Sequence, residues 1–355
     1  MRTLLFALAA WLLALAGQAA ADASLPMDKG LPVRVKAAIG YVGVSGFDEN
    51  AASFKGVVDI RLRWEDLRLR RPAAEANDPP RVLRGDEALA EAKRIWVPDT
   101  TIANQVAEAA PAEIGLRIFP DGRVEMLKRV SGEFSTDYDV SRFPFGKQQL
   151  QVRLALRAET ANQATLAFDQ DDLDFSRPSA EARLDGWTLR FVNLAVSAEP
   201  GWYGAAHATM TASLEAVRHP GPVIASIFIP LLASLLIPLL AVWLNRVEDG
   251  AFQIETFELV NIIIGGLFAV IALNFTVNSV YEVLESGDNP INRLFALNYV
   301  TLAISLAVNV LLFRFGVVER AFGAYVQEQF YLFLVWAIPL LVFTTAASII
   351  LVALA

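Results

Sequence analysis

Three features of this sequence predict an extracellular all-β immunoglobulin-like sandwich followed by an all-α four-helix transmembrane bundle. Apolar residues recur with period two from about Leu25 to Val217, turn residues interrupt them often, and four long uncharged runs follow Arg218. Period two puts alternate side chains on one face of a strand, and about 20 apolar residues suffice for a helix to cross a bilayer. The 355-residue chain is 55% hydrophobic and 19% charged, where roughly a quarter of a soluble domain is charged. The imbalance is local: Arg61, Arg63, Glu65, Asp66, Arg68, Arg70 and Arg71 crowd one stretch, whereas Arg293, Arg314, Glu319, Arg320 and Glu328 are the only charges from Arg293 to Ala355.

The elements follow in order. Arg2, the apolar run from Leu4 to Ala16 and the small residues Ala19, Ala20 and Ala21 read as a secretory signal peptide over residues 1–21, the run being too short to span a bilayer. Residues 22–219 then form the sandwich outside the cytoplasm. Its strands are marked by Val33, Val35, Ala37 and Ile39, by Val58, Ile60, Leu62 and Trp64, and by Leu150, Val152, Leu154 and Leu156. Turn signals such as Pro120-Asp121-Gly122 and Phe143-Pro144-Phe145-Gly146 separate them. Residues 220–355 supply the bundle, with helices at about 220–245, 257–282, 291–314 and 329–355. Four crossings from an outside start put Arg246, Arg314 and Arg320 in the cytoplasm and Arg293 outside, as the positive-inside rule favours.

Composition excludes most chemistry. With no cysteine and only His207 and His219 as imidazoles, there is no disulfide, thiol nucleophile or Cys-ligated metal. No nucleophile, base or metal set converges in sequence, so the chain reads as no enzyme, and nothing calls for a cofactor. The net charge is −8, and from Pro220 onward four basic residues face nine acidic ones, which makes nucleic acid a poor partner.

Four motifs carry a family resemblance: Trp64-Glu65-Asp66-Leu67-Arg68-Leu69, Trp96-Val97-Pro98-Asp99, Phe143-Pro144-Phe145 with Gln148, and Arg218 ahead of a first helix holding Pro230. They resemble the pentameric ligand-gated ion channels of the Cys-loop receptor superfamily in their prokaryotic form. Thr136 and Leu150 stand where animal members place the loop cysteines. The resemblance implies a homopentamer, this chain with four identical subunits, in the bacterial inner (plasma) membrane and in contact with lipid. It also implies permeant monovalent cations and gating by an unknown small-molecule agonist or by protons. It further implies coupling between the two halves through Asp48, Glu49, Phe143, Pro144, Phe145 and Arg218. One departure matters: the family's Asp after Phe-Pro-Phe is Gly146 here, so Arg218 needs another acceptor, for which Asp48 and Glu49 are the candidates.

A helix facing a five-fold axis repeats its inner face about every 3.5 residues. From Glu258 that step gives Asn261, Gly265, Phe268, Ala272, Phe275, Ser279 and Glu282, a line with a carboxylate at each end and two rings in its outer half. Five copies of Glu258 would attract cations, and Phe268 and Phe275 are expected to form a hydrophobic gate. An agonist box between subunits, as the resemblance implies, would draw on Trp96, Arg157, Glu159, Trp202 and Tyr203. Asp169, Asp171, Asp172 and Asp174 offer oxygen ligands for Ca²⁺ or a solvated acidic loop. The alternative function is a membrane-anchored periplasmic ligand-binding receptor without a conducting pore, for which the acidic-ended stripe would serve no purpose.

Overall fold

The computed structural model describes residues 23–27, 29–107, 112–244, 247–248, 251–252, 256–285 and 287–355. The signal-peptide segment lies outside the described residues. The chain divides into two compact units, the first comprising the chain up to Asp137 with Gln149–Asp185 and Leu189–Ala216. The second takes Tyr138–Gln148, Gly186–Thr188 and Val217–Ala355.

Ten strands form two sheets: β1 (Val33–Asp48), β2 (Ser53–Glu65), β3 (Arg81–Arg84), β4 (Thr100–Ile102), β5 (Glu113–Ile118), β6 (Arg123–Ser135), β7 (Lys147–Leu156), β8 (Ala164–Ala167), β9 (Trp187–Pro200) and β10 (Ala206–Arg218). One sheet runs β3-β5-β6-β2-β1-β8 and the other β4-β7-β10-β9. The long β2 and β6 pair antiparallel from Ser53 opposite Ser135 to Glu65 opposite Arg123. Register follows the alternation, because a one-residue slip would turn every apolar side chain to solvent. In β7, Leu150, Val152, Leu154 and Leu156 are all buried, with intermediate residues between them. Fully buried Tyr41, from β1, donates its hydroxyl into the other sheet, 2.7 Å from the Leu150 carbonyl and 2.9 Å from that of Ala212. Where animal relatives are expected to carry a disulfide, Thr136 substitutes hydrogen bonds: its hydroxyl donates to the Gln149 carbonyl and accepts from the Gln151 N–H, on either side of Leu150.

Two short helices, α1 (Gly85–Ala92) and α2 (Gln170–Phe175), belong to the first unit. In the second unit, helices Gly221–Trp243 (α3), Thr256–Val280 (α4), Pro290–Arg314 (α5) and Ala324–Leu354 (α7) are long and apolar enough to cross a membrane, and Val317–Phe322 (α6) joins the last two. Leu231 and Leu239 of α3, Ile263, Val270 and Val277 of α4, Leu294 and Leu302 of α5, and Tyr331 and Ile338 of α7 share one buried core. Some polar groups between these helices pair with one another, as hydrocarbon surroundings favour. Ser234 donates to Asn298 at 2.9 Å, and Asn274 to the Tyr299 hydroxyl at 3.3 Å. A π-helical turn, Ile224–Phe228, widens α3 just before Pro230, whose missing N–H already breaks the ladder.

Candidate functional site

α4 has two unlike sides. Leu259, Ile263, Gly266, Val270 and Val277 are buried against the other helices. At Gly266 a Cβ would come within 2.8 Å of Ile237 Cγ2, so only glycine lets α3 and α4 approach so closely. On the opposite side Glu258, Asn261, Gly265, Phe268, Ala272, Phe275 and Ser279 are exposed, as is Glu282 in the turn after the helix. Phe268 and Phe275 are 67% and 74% exposed, more than Ile262, Ile264, Leu267 and Ile271 on the shoulders. Among the described residues nothing covers this side, and its polar members would be costly against lipid.

The second feature gathers around Arg218 at the end of β10. Its guanidinium lies 4.4 Å over the Trp187 ring and 5.0 Å over the Phe143 ring, and it donates to the Tyr138 hydroxyl at 3.2 Å. Phe143 in turn meets Tyr281 edge-on at 5.4 Å, and Phe145 meets Phe228 at 5.9 Å. The Phe-Pro-Phe loop thus reaches the turn after α4 and the widened turn of α3 with its two rings. Gln148 holds the neck of this loop, donating to the Asp139 carbonyl at 2.7 Å and accepting from the Asp139 N–H at 3.0 Å. Ser141 hydrogen bonds hold the Asp139 carboxyl below its ordinary value. Sequence reasoning missed Tyr138 and Trp187, for which nothing but their aromatic character gave a signal. Asp48 accepts from the Ala51 N–H in the β1–β2 turn, and both it and Glu49 belong to the first unit.

In the first unit, Trp96 is 5% exposed and packs edge-on against Trp64 at 5.9 Å. Its indole donates to Glu159 Oε1 at 3.1 Å, so these two predicted residues do meet. Arg157 is exposed, its backbone N–H donating to the Asp99 carbonyl at 2.8 Å. Tyr203, in the Trp202–Gly204 turn between β9 and β10, is fully exposed at φ 60°, a left-handed conformation that costs a non-glycine residue strain. His207, which the sequence offered only as one of two imidazoles, sits 2.9 Å through Nδ1 from the Glu159 carbonyl.

The family model for the neurotransmitter-gated ion-channel ligand-binding domain matches residues 21–220. The chain belongs to this family. Among relatives, a proton-gated ion channel of Gloeobacter violaceus is 26% identical over 250 residues, 70% of this chain and 64% of its own. The glycine receptor subunit beta of Rattus norvegicus is 27% identical over 158 residues, 42% of this chain and 28% of that subunit. The gamma-aminobutyric acid receptor subunit rho-2 of Bos taurus is 24% identical over 195 residues, 53% of this chain and 40% of that subunit. The chain thus spans less than two thirds of the length of these relatives. The ligand-binding-domain match takes in Trp96, Glu159, Tyr203 and Arg218, whereas α4 lies beyond it.

Within this ligand-binding domain the four aspartates, which the sequence offered as Ca²⁺ ligands or as a solvated acidic loop, have protein partners. Among the described residues no group of three or more His, Cys, Asp or Glu side chains is placed to hold a metal. The cluster instead caps α2 and binds arginines. Asp169 and Asp172 form a reciprocal capping box, and Asp172, 0% exposed, accepts from Arg61 at 2.8 Å and Arg63 at 2.7 Å. Lys36 and then the Asp172 backbone and Arg63 hold the Asp169 carboxyl well below its ordinary range against opposing burial. Asp174 pairs with Arg177 at 2.6 Å, and Asp171 lies 3.8 Å from Arg63. Asp172→Asn is expected to leave Arg61 without its carboxylate, while Arg63 keeps Asp169, at a cost of about 3 kcal/mol that lowers the melting temperature on the order of 10 °C. Calorimetry of the variant beside wild type, with and without Ca²⁺, checks this: a Ca²⁺-dependent melting temperature in wild type would restore the metal reading.

Proposed function

We propose that this chain forms a homopentameric ligand- or proton-gated ion channel, cation-selective, with α4 lining the pore. It sits in a bacterial plasma membrane with its ligand-binding domain outside. The observation that carries this is the exposed line on α4 from Glu258 through Asn261, Phe268 and Phe275 to Ser279 on a helix of membrane-spanning length. Polar groups on one line of such a helix call for water on that side, and a water-filled axis shared by five copies supplies it. The relatives add support: one is named a proton-gated channel, others glycine and gamma-aminobutyric acid receptor subunits. Current recording from purified protein in planar bilayers, across a range of pH and a panel of small amines and acids, is the test. Silence under every condition would favour the receptor without a pore.

Selectivity gives a sharper prediction. Glu258 is exposed in the first turn of α4, and five carboxylates within a Debye length of about 8 Å act on a passing ion together. Glu258→Gln should move the reversal potential in a salt gradient toward zero. Unchanged selectivity, or a wild type that prefers Cl⁻, removes Glu258 from this role.

A further inference from the structure

We propose that Glu159 is a proton-binding site, and that its protonation holds the β9–β10 turn against the loop that carries it. The inference deepens the gated-channel reading and rests on it for its consequence, though not for its chemistry.

The geometry is that of a carboxyl poorly suited to charge. Glu159 is 9% exposed. Its Oε1 accepts from the Trp96 indole at 3.1 Å, while Oε2 is buried with no hydrogen-bond partner. An ionised carboxylate with one oxygen sealed from water loses solvation that the few N–H groups near it do not replace, whereas the neutral acid carries no charge to solvate. Burial raises the affinity of this carboxyl for its proton, and the charge of Asp99 adds to it. The backbone N–H groups of Glu159 and Asp99 and the Trp96 indole oppose the shift without cancelling it.

The same residue is tied to the turn by its main chain. The Glu159 carbonyl accepts from His207 Nδ1 at 2.9 Å, and the Ala161 N–H donates to the Ala206 carbonyl at 2.7 Å. The His207 ring lies so close to Gly201 that any Cβ there would collide with it, and the Gly201 N–H closes the turn on the Ala205 carbonyl at 2.6 Å. Residues 159–161 therefore hold the β10 end of the turn that presents Tyr203, and the His207 ring packs against Gly201 at its other end. The charged or titratable groups facing this carboxyl are Asp99 from the Trp96 segment and His207 from β10, while Arg157 on the same loop points to solvent.

The sign follows from the raised proton affinity. This arrangement binds its proton more tightly than an open or unfolded one, so its stability is full at low pH and falls as pH rises past the ordinary carboxylate value toward the raised one. Above that, an ionised Glu159 gains by turning toward water, which strains the bonds to His207 and Ala206. Acid closes the turn and alkali loosens it.

The test uses the full chain in lipid nanodiscs and two readouts. Hydrogen exchange of residues 157–163 and 200–207, corrected for intrinsic rates, should speed up with rising pH in wild type. Glu159→Gln keeps an acceptor for Trp96 but cannot ionise, so its exchange should stay slow throughout. Glu159→Asp should restore a transition, and Asp99→Asn should move the wild-type midpoint down. In bilayers, the Glu159→Gln variant should shift the pH midpoint of current by about one unit, the size one buried carboxyl commonly supplies. A Glu159→Gln variant with wild-type exchange at every pH overturns the inference. If wild type conducts nothing but the exchange transition is present and lost in the variant, the proton site stands and the channel reading falls.

Discussion

Phe268→Ser is expected to pass current at rest. The ring is 67% exposed on the uncovered side of α4, so replacing it carves no cavity in the chain's own core, and the variant should fold and reach the membrane. What changes is the axis that the proposed pentamer encloses. Five phenyl rings around a narrow channel exclude water, and an ion cannot shed its hydration there cheaply; five hydroxyls let water persist. Each ring removed takes roughly 150–250 Å² of apolar surface from that constriction. A resting conductance raised at least about tenfold needs a shift of only ~1.4 kcal/mol shared by five subunits. Phe275, 74% exposed and two helical turns further out, should behave alike but more weakly if it forms the wider ring. Val270→Ser supplies the contrast: Val270 is buried in the helix core, so a hydroxyl there should lower stability and yield without leak. Recording without agonist, alongside surface labelling, decides the matter. A well-expressed Phe268→Ser variant that stays silent at rest yet answers agonist normally would place the gate elsewhere.

The line on α4 was legible from sequence because helical spacing is local: a residue's side depends on its count along the helix, and nothing distant is needed to find it. The strands were legible for the same reason, Leu150 to Leu156 alternating in the sequence as they alternate in burial. The partners of the acidic cluster were not legible, for the opposite reason. Whether Asp172 serves a metal, water or an arginine is settled by Arg61 and Arg63, which lie 111 and 109 positions away. The packing of Trp96 was equally out of reach, since the motif that carries it gives its neighbourhood in the chain but not the Trp64 ring that meets it. The surroundings of Arg218 are the plainest case. Loss of the family's aspartate at Gly146 pointed toward a substitute carboxylate, whereas the cation also rests on aromatic faces, and a preference for faces leaves no spacing in a sequence.

Those faces set the second large effect: Arg218→Ala should express and assemble but lose gating or shift its midpoint by roughly thirty-fold. The guanidinium spans Trp187 at 4.4 Å, next to the Gly186 turn, and Phe143 at 5.0 Å, on the Phe-Pro-Phe loop, with Tyr138 accepting a hydrogen bond at the loop's start. Phe143 passes the contact to Tyr281, in the turn that follows α4. A desolvated cation over an aromatic face contributes about 2 kcal/mol, which is the thirty-fold expected if the contact exists in only one of two gating states. Arg218→Lys separates charge from shape: an ammonium keeps the charge but not the flat stacking surface, so a partial response should remain. Tyr138→Phe, which removes only the hydrogen bond, should cost less than either. Current measurements on the single and double variants form the cycle. Non-additivity of Arg218→Ala with Phe143→Ala, and with Glu49→Ala or Asp48→Ala if a carboxylate shares the cation, would mark one coupled unit. If Arg218→Ala answers agonist as wild type does, gating does not pass through this residue, and the contact with Phe143 only braces the loop that carries it.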